Sequence, residues 1–360
     1  MKFFDLNLSD PGLRMELDQA YGRVMDSGWM ILGPELAAFE TEFAAWCGAA
    51  HGVGVGNGLD ALTLTLRAAG VQAGAEVIVP AHTFAATWMA VEALGAVPVP
   101  VEVNAATYTL DADACAAAVT DRTVAIVPVS LYGHPLDLDP LMALAQRRGL
   151  FVLEDAAQSH GSTYQGRRTG AGAHATAFSF YPTKNLGALG DAGAVTTNDA
   201  DLAQRIRRLR NYGSDQKYVH QTLGVNSRLD ELQAAFLRVF LPRLDAANDQ
   251  RRALAAAYDA ALAGSGLTTP SQADGARHVY HLYVVRTPDR DGLQARLKAA
   301  GIESLIHYPI ACHLQDAFAH RGFRRGDFPL AEALADEVLS LPLWPAMPVG
   351  NVALVAGAAR

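Results

Sequence analysis

A layered α/β fold built on a mostly parallel sheet is the architecture this chain predicts, and three observations carry it. Between residues 51 and 200, short apolar runs alternate with stretches whose apolar residues recur at helical spacing. Two of these runs end in polar residues, at Glu154-Asp155 and at Ser179, the strand ends where such sheets bind ligands. The chain has 360 residues and is 50% hydrophobic, enough to bury a sizeable core and to make two domains.

Taken in order, the strands fall at 53–55, 77–79, 97–103, 124–129, 151–153, 175–180 and 194–196. Helical patterns lie between them at 60–69, 85–94, 111–119 and 139–148, which places helices on both faces. A second region follows Arg228-Leu-Asp-Glu-Leu-Gln-Ala-Ala. There a long Ala- and Arg-rich helix at about 242–263 connects to a strand at 279–285. The turn Thr287-Pro-Asp-Arg-Asp-Gly292 leads to a helix at 292–300, and 328–339 reads as a last helix. The expected division is a large domain over 1–240 and a smaller C-terminal α+β domain over 241–360.

Composition excludes several classes. A net charge of −8 with no basic run argues against nucleic-acid binding. Cys47, Cys115 and Cys312 are few, odd in number and far apart, which fits buried thiols in a reducing compartment and no disulfide framework. Acidic and polar residues come too early for a signal peptide, and no apolar run reaches a membrane span. The expectation is a soluble cytoplasmic protein.

The chemistry concentrates around one lysine. In Ser179-Phe-Tyr181-Pro-Thr-Lys184-Asn-Leu-Gly187-Ala-Leu-Gly190-Asp-Ala-Gly193, an apolar strand ends, Lys184 follows, and glycines crowd the backbone. Upstream, the run 150–153 ends in Glu154 and Asp155. A Schiff-base lysine and an acid to pair a pyridinium nitrogen are what pyridoxal phosphate (PLP) chemistry requires. Each residue also has a plainer reading: Lys184 as a solvated loop charge, Asp155 as a helix N-cap, His160 as a satisfied loop histidine.

Gly52-Val-Gly54-Val-Gly56-Asn57-Gly58-Leu59-Asp60 is not a dinucleotide fingerprint, because Leu59 and Asn57 stand where the third glycine would be. What remains is a strand, a glycine turn and a helix start that can present backbone N–H groups to one phosphate. A tight turn needing positive φ is the other reading. Gln158, three residues past Asp155, is placed to reach a phenolic oxygen on the ring, and Phe84 could stack on it. Phe84 and Trp88, four apart, equally suit a core. His307, Tyr308 and His313 lack a third ligand at convincing spacing, so no metal is expected.

Six motifs in order are together far more specific than any one of them. They are Gly56-Asn-Gly-Leu-Asp-Ala-Leu62, Pro80-Ala-His-Thr-Phe84, Glu154-Asp-Ala-Ala-Gln158, Ser179-Phe-Tyr-Pro-Thr-Lys184, Arg210-Asn-Tyr-Gly213 and Asn226-Ser-Arg-Leu-Asp-Glu-Leu-Gln-Ala-Ala235. Over nearly its whole length the chain resembles the DegT/DnrJ/EryC1/StrS sugar aminotransferases, PLP enzymes of the aspartate-aminotransferase fold (fold type I). The resemblance implies that Lys184 holds the cofactor covalently, Asp155 pairs its ring nitrogen, Gln158 meets its phenolic oxygen and Phe84 stacks on it. It implies that Gly58, Leu59 and Ser179 hold the phosphate, joined by Asn226 from a neighbouring subunit of a homodimer. Many relatives carry Ser or Thr where Leu59 stands, which removes one hydroxyl donor here.

The implied reaction moves an amino group from L-glutamate to a nucleotide-linked keto sugar. Gly187-Ala-Leu-Gly190-Asp-Ala-Gly193 and Thr83-Phe-Ala-Ala-Thr-Trp88 look like the branch acting at C3 of dTDP-3-keto-6-deoxyhexoses; C4 transfer is the alternative. In that branch Tyr181, Lys217, Tyr218, His307 and Tyr308 lie where the sugar nucleotide tends to be contacted, or else at the surface or a dimer contact. A dehydratase relative would carry His at Lys184, and a nicotinamide dehydrogenase would need the missing glycine. A regulatory protein keeping fold and cofactor without turnover would look the same in sequence.

Overall fold

The computed structural model describes residues 1–6 and 8–360. All seven runs read as strands meet in one seven-stranded sheet. Its spatial order is His51–Val55, Gly193–Thr197, Ala175–Ser179, Phe151–Asp155, Thr123–Ile126, Glu76–Pro80, Val97–Val101. Only Gly193–Thr197 runs antiparallel to its neighbours; the other six share one direction. The carboxyl ends of those six therefore open on one edge.

The period-2 alternation of strands sorts their side chains onto two faces. Val77 and Val79 join Ala125, Leu153 and Ala177 in a core under the helices Gly58–Ala68, Ala86–Glu92 and Ala200–Leu209. Ile78, Ile126 and Val152 turn the other way, into a core with the helix Leu138–Arg148. Burial on both faces explains why these strands read as continuous β-branched runs with no polar alternation.

Two helices precede the sheet and escaped the sequence reading. Pro11–Ser27 starts where Asp10 accepts the Leu13 N–H at 2.8 Å. Pro34–Cys47 is capped from far along the chain: the buried Glu231 carboxylate accepts the N–H groups of Gly33, Glu35 and Leu36 at 2.8–3.0 Å.

The C-terminal part corrects the reading in three places. The strand expected at 279–285 is shorter, Tyr283–Arg286, because the stretch before it bonds to the turn at 131–133 instead, the Val279 N–H to the Gly133 carbonyl at 3.0 Å and the Leu282 N–H to the Tyr132 carbonyl at 3.3 Å. The last helix is Pro329–Glu337 only; Val338–Leu341 is a strand paired antiparallel with Tyr283–Arg286. Short apolar runs such as Val338-Leu-Ser-Leu341 suit a buried helix end or a strand equally well, and here the neighbouring strand decides. A further helix, Gly350–Ala359, then packs on Leu244–Leu262 through Val352, Val355 and Ala356.

Candidate active site

A cavity of about 450 Å³ opens at the carboxyl edge of the parallel strands. At its base, Asn57 ends the turn after His51–Val55 and caps the helix Gly58–Ala68, accepting the Asp60 N–H at 2.8 Å. Gly58 and Leu59 occupy the first two helical positions, whose N–H groups have no acceptor within a helix. Gly58 must be glycine: a Cβ there would lie 2.6 Å from the Ser179 Cβ. The result is a helix N-terminus with Ser179 pressed against it, a cradle for an anion.

Lys184 follows the strand Ala175–Ser179. Its N–H closes a turn on the Tyr181 carbonyl at 2.8 Å, and the loop folds so tightly that a Cβ on Gly187 would sit 2.4 Å from the Pro182 oxygen. The main chain that carries the amine is thus fixed by a closed turn. Burial pushes its pKa down to about 8, partly opposed by the Asp155 charge.

Asp155, last residue of its strand, is almost fully buried. Its Oδ2 accepts the Thr87 hydroxyl at 2.9 Å and its Oδ1 the Ala157 N–H at 3.2 Å. Thr83 Oγ1 lies 3.2 Å from Thr87 Oγ1. Burial raises the Asp155 pKa, while those two hydrogen bonds and Lys184 pull the other way. A carboxylate in that balance is suited to a cationic partner in the cavity.

The opposite wall sets His307 and Tyr308 of the C-terminal part against Gln158 and Tyr132. Gln158 accepts the Tyr132 N–H at 2.6 Å and donates to the Tyr308 hydroxyl at 2.9 Å. The Tyr132 hydroxyl lies 2.9 Å from His82 Nε2 and donates to the His307 carbonyl. His307 Nδ1 is 2.8 Å from the Ser340 hydroxyl. Burial first, then Lys184, lowers the His307 pKa to about 4, so its imidazole is neutral. Phe84 tilts at 37° against Tyr308 with ring centres 5.1 Å apart, and is half-exposed at the mouth.

The sequence match decides what family this site belongs to. The profile of the DegT/DnrJ/EryC1/StrS aminotransferase family matches residues 12–360. The chain is a member of that family.

This aminotransferase is 54% identical over 344 residues to the dTDP-3-amino-3,4,6-trideoxy-alpha-D-glucose transaminase of Streptomyces venezuelae, covering 95% of this chain and 91% of that one. It is 56% identical over 344 residues to the erythromycin biosynthesis sensory transduction protein EryC1 of Saccharopolyspora erythraea, covering 95% and 94%. The crystal structure of S. venezuelae DesV in complex with a ketimine intermediate shares the fold with a TM-score of 0.97 at 52% identity, covering 100% and 97% of the two chains. Two other solved relatives are described with PMP bound and in a PLP form. The fold is the PLP aminotransferase fold that the resemblance implied.

Of the residues singled out in the sequence, the structure gathers Gly58, Leu59, Phe84, Asp155, Gln158, Ser179, Tyr181, Lys184, His307 and Tyr308 around the cavity of this aminotransferase. Lys217, Tyr218 and Asn226 do not line it; all three are exposed, and Tyr218 is 82% accessible. Among the described residues no three His, Cys, Asp or Glu side chains gather as a metal site. Sequence reasoning gave no contact to Thr87, Tyr132, Asp191 or His281, all at the cavity or bonded to its residues. The four-residue spacing of Thr83 and Thr87 was a signal for one of them. For Tyr132 and His281 no local signal exists, because their partners are remote in sequence.

Proposed function

We propose that this chain is a PLP-dependent transaminase that moves the amino group of L-glutamate to C3 of a dTDP-linked 3-keto-6-deoxyhexose. One observation carries the proposal: Lys184, Asp155 and a glycine-edged helix N-terminus face one cavity. The identity of more than half the residues with a dTDP-3-amino sugar transaminase supports the choice of substrate.

The residues fit the cofactor. Gly58, Leu59 and Ser179 would hold its phosphate, Asp155 its ring nitrogen, and Lys184 its carbonyl carbon; Phe84 and Gln158 would flank the ring. When bound, PLP captures amines covalently and serves as the electron sink that makes the adjacent C–H acidic.

The chain's own groups do the rest. Lys184 Nζ, neutral above about pH 8, takes the proton from the donor carbon and returns it to the other side of the same C–N unit. Asp155 stays ionised once a cation sits beside it. Gln158 locks Tyr308, and Tyr132 locks the His307 backbone, so the wall facing the substrate does not need to form on binding.

Asn226, Lys217 and Tyr218 would reach the site from a second subunit. The exposed apolar residues Trp29, Met30, Ile31, Leu223 and Val225 support a homodimer in which the site is shared. We place the protein in the cytoplasm; among the described residues no helix is long and apolar enough to cross a membrane.

The test is an absorbance spectrum of PLP-loaded protein before and after glutamate. A band near about 410–430 nm moving to about 330 nm is the expected outcome. The name of the Saccharopolyspora relative favours a second reading, a regulatory protein that keeps the cofactor without turnover. A spectrum that glutamate leaves unchanged would select it.

A further inference from the structure

His281 lines the cavity, and a chain of hydrogen bonds leading away from it fixes which of its nitrogens carries the proton. At the far end, Asn248 Nδ2 donates to the His160 carbonyl at 2.8 Å. A backbone carbonyl only accepts, so the Asn248 oxygen must face the other way, toward Asn185. There it accepts Asn185 Nδ2 at 2.8 Å, and the same Nδ2 also reaches the Val279 carbonyl at 3.2 Å. With its nitrogen committed to two acceptors, Asn185 presents its Oδ1 to His281 Nδ1 at 3.1 Å. That oxygen can only accept, so His281 carries its hydrogen on Nδ1. Its Nε2 is left as a lone pair.

The main chain on either side of the ring is held as well. The buried Arg251 donates to the carbonyls of Tyr280 and His281 at 3.3 and 3.4 Å, and the Leu282 N–H reaches the Tyr132 carbonyl at 3.3 Å. Burial, with the Lys184 and Arg251 charges, keeps the imidazole neutral. It is therefore a pure acceptor on the cavity wall beside Lys184.

We propose that His281 is a specificity-determining residue whose Nε2 accepts a hydrogen bond from a hydroxyl of the keto sugar flanking the carbonyl carbon. A fixed lone pair repels keto, carboxylate and phosphate oxygens and welcomes an O–H. Glutamate offers it two carboxylates, and its one donor group is the reacting amine. A hexose offers hydroxyls on either side of the ketone. The proposal rests on the transaminase reading above and names the part of the sugar that the site reads.

The experiment compares wild type with His281→Phe and His281→Gln on a 3-keto sugar nucleotide and on its 2-deoxy and 4-deoxy counterparts. In wild type, loss of one of the two hydroxyls raises KM roughly three- to tenfold, the weight of one neutral hydrogen bond. His281→Phe abolishes that difference, and His281→Gln, which restores an acceptor near the Nε2 position, recovers part of it. Independently of turnover, ¹⁵N-histidine NMR at pH 7 shows a neutral imidazole protonated on Nδ1 that both variants lack, while the signal of His134, whose Nδ1 faces the Pro135 carbonyl at 2.7 Å, stays in all three. A ring protonated on Nε2, or a His281→Phe enzyme that still discriminates the deoxy sugars as wild type does, overturns the proposal. Neither result touches the transaminase reading, which stands or falls on the spectral change with glutamate alone.

Discussion

The two sides of the cavity are built differently. On the side proposed to hold the cofactor, Asp155 is buried and holds two hydrogen bonds, Lys184 sits in a closed turn, and Gly58 is pressed against Ser179. At the mouth, Phe84 and Tyr181 are 53% and 52% exposed, and Lys217, Tyr218 and Asn226 stand outside altogether. The difference teaches where a single chain invests its order. Groups that must hold charge at a fixed distance are preorganised by the sheet edge. Groups that meet a large, variable ligand are left on loops, to be completed by ligand or partner.

Removing a group from the ordered side should cost most. Lys184→Ala takes away the group proposed to be both covalent anchor and proton carrier, and transamination should fall by more than about 10³-fold in stopped-flow assays of either half-reaction. Turnover within tenfold of wild type would break the comparison outright. Asp155→Asn keeps the shape and removes the charge; the glutamate half-reaction should slow by roughly 10²-fold. The pH titration of the cofactor band should shift with it.

A smaller effect sharpens the picture. Thr87→Val withdraws one hydrogen bond from Asp155 and should slow the same half-reaction about three- to tenfold, whereas Thr87→Ser should not. At the mouth, Tyr218→Ala should leave the thermal midpoint of the chain within about a degree, because an exposed side chain has little packing to lose. Its effect should appear instead in KM for the sugar nucleotide, and a large fall in stability would show the mouth to be as ordered as the base.

The smallest effect is on the pH dependence of apoprotein stability. Lys184 has a folded pKa near 8, below its ordinary 10.5, so between those values the unfolded chain binds more protons than the folded one. Stability contributed by this site therefore rises as pH goes from about 8 toward 10.5 and is level below 8. Chemical denaturation of wild type minus Lys184→Met across that window should show the rise; an identical pH profile for both proteins would contradict the buried amine.

Much of this was legible in sequence, for a physical reason. Strands buried on both faces must be nearly all apolar, so 77–79, 124–129 and 175–180 announce themselves. Asp155, Ser179 and Lys184 were legible because a strand's end is where its polar residues emerge into the crevice. What was hidden depends on remote contacts. Glu231 caps a helix that begins at Pro34, and His281 takes its tautomer from Asn185 and Asn248; no local period encodes either. Val338–Leu341 went to a strand because Tyr283–Arg286 was waiting beside it, a fact outside any local window.

The central claim is that one amine, Lys184, carries the cofactor. Borohydride reduction of the PLP-loaded protein, followed by peptide mass spectrometry, locates the pyridoxyl group directly. The account predicts a single modified peptide containing Lys184. A pyridoxyl group on Lys217 or another exposed lysine with Lys184 unmodified, or no adduct at all, would contradict it.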